Sequence, residues 1–316
     1  MATGEFELIH RWFDRPPRRP EVVLAVGDDA ALIRPSPKEH WAITVDTLVA
    51  GVHFFPDVDP EALGYKALAV SLSDLAAMGA EPRWFTLVLA LPEAEEDWLA
   101  AFARGLWSLA GRVGIDLVGG DVSRAGQLSL TIQAAGALPA GLALRRDGAR
   151  PGDLVYCSGE LGGAALALEV LQSGEGPPPA LRRRLERPEP RLELGRRLRG
   201  LASAAIDCSD GLAADLGHLL AASGVGAEIA LDALPLAPGL RELPRERAWR
   251  LACTGGDDYE LIFTVPPQRE AELAMRLGDG NVTVRRIGTL TADSGLRFLT
   301  PGGEPFSLDR FGHVHF

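Results

Sequence analysis

Lysine is almost missing from this chain of 316 residues: Lys38 and Lys66 are the only two, and every other basic residue is arginine. A mechanism built on a catalytic lysine therefore has almost no candidates. Cysteine is scarce as well. Cys157, Cys208 and Cys253 form neither a disulfide framework nor a metal-ligand spacing, and scattered thiols in odd number suit a reducing compartment. No apolar run approaches the length of a membrane span. The N-terminal stretch MATGEFELIHRWFDRPPRRP lacks a secretory apolar core and carries Glu5, Glu7 and Asp14, unlike an organellar transit peptide. A cytoplasmic protein without membrane partners is expected. Positive charge is in deficit too: the net charge of -11 argues against a nucleic-acid surface. Absent also are the G-x-x-x-x-G-K-[ST] loop, the kinase catalytic loop, the Asp-Phe-Gly element and a serine nucleophile elbow.

What is abundant is aspartate at the ends of apolar, strand-like runs. VVLAV leads into Gly27-Asp28-Asp29, WAITV into Asp46, and IDLVGG into Asp121. SAAI leads into Asp207 and Asp210, and Asp257-Asp258 follow Gly255-Gly256 just before YELIFTV. Strand ends of this kind face ligand crevices. Gathered carboxylates would repel by roughly 4 kcal/mol per close pair at an effective dielectric near 20. Magnesium, which bridges carboxylates to phosphates, would offset that repulsion. Each aspartate taken alone is equally explained as a turn residue or helix cap.

At 47% hydrophobic and 24% charged residues, the chain has the composition of a globular protein long enough for two domains. Residues 41–55 read as a strand bent near Gly51, 60–79 as a helix, 84–92 as a strand, 95–114 as an amphipathic helix and 128–138 as a strand. Pro, Gly and Arg crowd residues 139–153, which marks a crossing between domains 1–138 and 139–316. Strands and helices mix without strict alternation in both, so two α+β domains are expected rather than a doubly wound sheet. RPPRRP, residues 15–20, reads as a mobile solvated loop.

Thr44 and Asp46 lie two apart on a strand and share a face, either a solvent-wetted edge or one corner of a magnesium site. Asp74 sits on a largely apolar helical face. It needs either a distant arginine or a metal to offset several kcal/mol, roughly, of lost hydration. Gly119-Gly120-Asp121 and Gly255-Gly256-Asp257 let the backbone approach a ligand. Gly159-Glu160-Leu161-Gly162-Gly163 offers N–H groups to a phosphate or makes a plain strand-to-helix turn. Ser209-Asp210-Gly211 opens a helix, where Ser or Asp would cap.

Taken in order, GDDAALI, VDTLVAGVHF, GYKALAVSLSDLAAMGA, GGDVSR, IDCSDGL and GGDDYEL resemble the thiamine-monophosphate kinase family. That family belongs to the superfamily of aminoimidazole ribonucleotide synthetase and selenide water dikinase. The resemblance implies two mixed α/β-layer domains of the aminoimidazole ribonucleotide synthetase type and a homodimer joined through its N-terminal strands. It implies transfer of the γ-phosphoryl group of ATP to thiamine monophosphate with several magnesium ions. By resemblance, metal positions fall on Asp29, Thr44, Asp46, Asp74, Asp121, Asp207 and Asp210. ATP contacts fall on Gly120, Asp121, Arg146 and Ser209, and thiamine-side contacts on His53, Asp257 and Phe311. Val45 stands where the family often has a hydroxyl residue, and Asp257 where glutamate is common. The competing readings are a sibling ATP-dependent synthetase making aminoimidazole ribonucleotide and a non-catalytic divalent-metal-binding protein.

Overall fold

The computed structural model describes residues 5–27, 30–278, 282–309 and 312, apart from the side chains of residues 5 and 6. Asp29 and Phe311, two of the expected site residues, lie outside the described residues. The chain divides into two compact units, one of Met1–Leu75 with Ala80–Gly141, the other of Ala76–Gly79 with Leu142–Phe316.

The first unit runs α1 (Glu5–Trp12), β1 (Val22–Leu24), β2 (Leu32–Ile33), β3 (Glu39–Val49), α2 (Pro60–Ala77), β4 (Glu81–Leu91), α3 (Glu96–Val113), β5 (Asp116–Arg124) and β6 (Ser129–Pro139). Four strands form a sheet in the order β3-β6-β4-β5, and only the β4/β5 pair is parallel. α2 is apolar on nearly every side and buries Leu63, Leu68, Leu72 and Leu75 completely. Against it packs α3, whose Leu99, Phe102, Leu106 and Leu109 recur at helical spacing and are equally buried. The two helices touch through glycine. A methyl group at Gly64 would stand 2.0 Å from the Phe102 carbonyl oxygen, and one at Gly105 1.7 Å from that of Glu61.

The expected strand over 41–55 is shorter. β3 ends at Val49 and the chain turns through Gly51–His53, where Gly51 takes φ 77°, a left-handed value open to glycine. RPPRRP is not the loose loop its charge suggested. The Asp116 carboxylate accepts the backbone N–H groups of Arg18 (2.8 Å) and Arg19 (2.7 Å). The Arg19 guanidinium donates to the Gly114 and Pro82 carbonyls and to Glu81, and Arg15 lies over the Trp107 ring. Arg15 and Arg18 stay exposed, yet these contacts fasten the segment as a strap.

The second unit contains β7 (Leu154–Ser158), α4 (Gly163–Gln172), α5 (Pro179–Glu186), α6 (Leu192–Leu198), β8 (Ala204–Cys208), α7 (Leu212–Ser223), β9 (Gly226–Ala230), α8 (Arg245–Thr254), β10 (Glu260–Val265), α9 (Glu270–Leu277), β11 (Val284–Thr291), β12 (Gly295–Leu299) and β13 (Pro305–Phe306). Its seven strands pair in the order β13-β12-β9-β11-β7-β10-β8, antiparallel except for β12/β9. β7, β8 and β10 are buried along their whole length, which explains their near-continuous apolar composition. Both units mix helix and strand as an α+β reading requires. Among the described residues no helix is long and apolar enough to cross a membrane.

Candidate active site

In the first unit the pleat of β3 turns Thr44 and Asp46 inward and Val45 outward. Facing them, α2 presents Ser71 and Asp74, three residues apart and therefore on one helical face. The Ser71 hydroxyl donates to Asp46 at 2.8 Å, and the Thr44 hydroxyl donates to Asp74. Burial, reinforced by the charge of Asp74, pushes the Asp46 carboxyl up to about 6, and the Ser71 hydrogen bond pulls it back only in part. Two carboxylates and two hydroxyls thus share one polar island under an apolar helix. Ser71 was passed over as a site residue; its signal was the three-residue spacing to Asp74.

Asp121 stands on β5, the opposite edge of the same sheet. Asp46, Ile132, Leu87 and Gly120 form one rank across the sheet. Asp46 and Gly120 therefore stand about 14 Å apart, three interstrand spacings. Asp121 is exposed on the far strand, opposite Val88. Gly120 is held tightly: a methyl group there would fall 1.8 Å from the Leu87 carbonyl oxygen. His53 lies in the turn after β3, where its Nδ1 accepts the Val49 N–H at 3.0 Å. The neutral ring accordingly carries its proton on Nε2.

In the second unit the segments IDCSDGL and GGDDYEL lie side by side. The Asp257 N–H donates to the Ser209 carbonyl and the Tyr259 N–H to the Cys208 carbonyl, both at 2.8 Å. Asp207 is buried at the end of β8, in register with Leu261. Asp257 (φ 67°) and Tyr259 (φ 50°) are left-handed, the only non-glycine residues so placed among those described. Such strain collects at functional sites and persists only where neighbours enforce it. The Tyr259 hydroxyl donates to Asp257 at 2.9 Å. Arg146 is exposed and its carbonyl accepts the Ser223 hydroxyl at 2.7 Å.

Two expected roles are reassigned. Neither Ser209 nor Asp210 caps α7, whose N-cap Gly211 provides no side-chain bond. Asp215 does the work from inside the helix, accepting the N–H groups of Asp210 and Gly211 at 3.0 Å each. The start of α4 does not hold its N–H groups open for phosphate: Gly162 donates at 2.7 Å to Asp258, and Ala164 also donates to that carboxylate. The acceptor at this helix end comes from the chain itself.

Among the described residues no three His, Cys, Asp or Glu side chains gather into a metal cage. Magnesium does not need one, because it commonly binds through one or two carboxylates, water and substrate phosphate. The Thr44–Asp46–Ser71–Asp74 island, with oxygen donors only and a raised carboxyl, fits that ion. The cysteines offer no alternative chemistry. All three are buried, and burial pushes each thiol up, away from the reactive thiolate.

Residues 27–138 match the family model for the AIR synthase related protein N-terminal domain, and residues 150–300 that for its C-terminal domain. A thiamine-monophosphate kinase of Salmonella typhimurium is 48% identical over 324 residues, covering 100% of this chain and 99% of the relative. The crystal structure of thiamine-monophosphate kinase from Stenotrophomonas maltophilia superimposes with a TM-score of 0.85 at 46% identity, over 91% of this chain and 93% of that one. AaThiL complexed with AMPPCP and TMP superimposes with a TM-score of 0.78 at 32% identity, over 92% of each chain.

Proposed function

The chain belongs to the thiamine-monophosphate kinase family, within the AIR synthase related proteins, and from that premise we propose the following reaction and site. It moves the γ-phosphoryl group of ATP to thiamine monophosphate, giving thiamine diphosphate and ADP, the last step in forming thiamine diphosphate. The observation that carries this reading is likeness over the full chain to kinases of that name, one of them solved with AMPPCP and TMP.

In this proposal Asp29, Thr44, Asp46, Asp74, Asp121, Asp207 and Asp210 hold several magnesium ions. Bound magnesium would neutralise phosphate oxygens and so reduce the repulsion between two anionic substrates. Gly120, Asp121, Arg146 and Ser209 contact ATP. His53, Asp257 and Phe311 contact the thiamine side. The acceptor is a phosphate oxygen, already anionic at neutral pH, so the chain needs no general base. Its residues position and neutralise, which agrees with the shortage of lysine and the inert cysteines. Strain at Asp257 and Tyr259 supports a fixed orientation for the Asp257 carboxylate.

A homodimer completes the proposal. Ile43 (59% exposed), Val45 (61%) and Val88 (38%) leave an apolar outer face on the first unit's sheet. An edge strand showing such a face suits pairing with a second copy. The cytoplasm is the proposed location, consistent with three unpaired thiols. The deciding experiment is product analysis with ATP, magnesium and thiamine monophosphate. Thiamine diphosphate together with ADP in equal amounts is expected; ADP formed without it would refute the assignment.

A further inference from the structure

The second unit contains a cavity of about 320 Å³ into which four arginines converge. Arg184 comes from α5, Arg191 from the start of α6, Arg241 from a short turn of helix and Arg285 from β11. None of the residues assigned above to metal, ATP or thiamine lines it. A single carboxylate, Glu160, shares the wall, and it accepts from both Arg184 and Arg241. Arg191 is committed behind the cavity to buried Glu260, with its Nε 2.6 Å from the carboxylate and the charge of Glu189 nearby. Arg285 is exposed and forms no hydrogen bond or ion pair with a described residue. Two guanidinium groups on one glutamate, with Arg285 beside them, leave positive charge in excess. That excess stands out in a chain of net charge -11.

Glycine lets the wall pack closely: a methyl group at Gly159 would fall 1.8 Å from the Glu260 carboxylate that holds Arg191. Like charges brought together repel, and Glu160 offsets that repulsion only in part, so an entering anion would be favoured. Guanidinium forks match the paired oxygens of phosphate. Pro235 and Val282 add apolar surface for an organic moiety, and the volume lies at the small end of ligand pockets. We propose that this pocket binds a small phosphorylated metabolite, at a site separate from the kinase reaction.

The test is calorimetric titration in EDTA at fixed ionic strength, with ribose 5-phosphate and inorganic phosphate as probes. Without divalent cations the aspartate groups repel both probes, so binding reports the arginines. Ribose 5-phosphate should bind the wild-type protein at one site and more tightly than inorganic phosphate. Arg241→Gln combined with Arg285→Gln should weaken it about tenfold or more, by loss of charge-assisted hydrogen bonds. Turnover of thiamine monophosphate should not change. Arg285→Gln alone carries the same test should the double variant fail to fold. Absence of binding, unaltered affinity in the variants, or equal affinity for the two probes would each overturn the proposal.

Discussion

The Asp215 carboxylate, in the first turn of α7, accepts the backbone N–H of Asp210 at 3.0 Å, reaching back five residues to hold the loop that precedes its own helix. Burial pushes this carboxyl up to about 7, and the backbone donors restrain the rise. Asp215→Ala should therefore cost about 1 to 3 kcal/mol, because two enclosed N–H groups lose their acceptor. It should also lower turnover, since Ser209 and Asp210 lose their support. Asp215→Asn keeps an acceptor oxygen and should recover most of the stability. Urea midpoints and steady-state kinetics of the two variants check this; equal stability of the alanine and wild-type proteins would remove Asp215 from the role.

Much of the first unit was legible in the chain. The helices expected over 60–79 and 95–114 occur as Pro60–Ala77 and Glu96–Val113, because Pro60 and Gly79 bound the first and apolar periodicity marks the second, all local signals. The strand over 41–55 was overextended, since its residues suit a strand and the left-handed turn at Gly51 is visible only as one glycine. The strap at RPPRRP was misjudged for another reason. Its partner Asp116 lies almost a hundred positions away, and a charge run carries no sign of so distant an acceptor. Thr44, Asp46 and Asp74 were picked out by type and placement. What spacing hid was that Asp46 and Asp121 stand on opposite edge strands of one sheet, which depends on strand order.

Asp46→Asn should separate stability from activity. Burial and the neighbouring charge of Asp74 hold the Asp46 carboxyl at about 6, so its ionised form is unfavourable in the fold without a cation. At neutral pH in EDTA the asparagine variant should gain roughly 1 to 3 kcal/mol, about 1.4 kcal/mol for each pKa unit relieved. With magnesium its turnover should fall about a hundredfold or more, the scale of a lost electrostatic contact to the reacting charge. Thermal melts in EDTA and kinetics in saturating magnesium read the two halves separately. Near-normal turnover would exclude Asp46 from the metal site.

Asp116→Ala should loosen the N-terminal strap without touching the kinase site. The two backbone N–H groups at Arg18 and Arg19 lose their acceptor, while the Arg19 guanidinium keeps its carbonyl contacts. Within RPPRRP only the Arg18–Arg19 and Arg19–Pro20 bonds follow the anchored arginines, and trypsin disfavours a bond before proline. Faster tryptic cleavage after Arg18, followed by mass spectrometry, is the expected result. An unchanged cleavage rate would show that the guanidinium contacts alone secure the strap.

Asp258 should make stability depend on pH. Burial pushes its carboxyl from 3.8 to about 8, against the N–H groups of Gly162 and Ala164 that favour the ion. A raised acid is protonated more readily in the folded chain than in the unfolded one. Its contribution is therefore full below 3.8 and is lost as pH rises through about 8. Asp258→Asn removes the titration and should flatten the melting temperature across that interval. Parallel melting curves for the variant and wild type at every pH would show that the carboxyl does not titrate there.

Ile43→Glu tests the proposed homodimer. Ile43 and Val45 project from the outer face of β3, and both are more than half exposed in the single chain. A change at so exposed a position should alter the stability of the isolated unit by no more than about 0.5 kcal/mol. In a dimer the same glutamate would be enclosed against an apolar partner surface, and an unpaired buried charge costs several kcal/mol, roughly. The two cases therefore differ sharply. Light scattering on a sizing column should give about twice the chain mass of 33.7 kDa for wild type and the single-chain mass for Ile43→Glu. A variant that remains dimeric would mean that the copies meet on another face, and a monomeric wild type would refute the assembly itself.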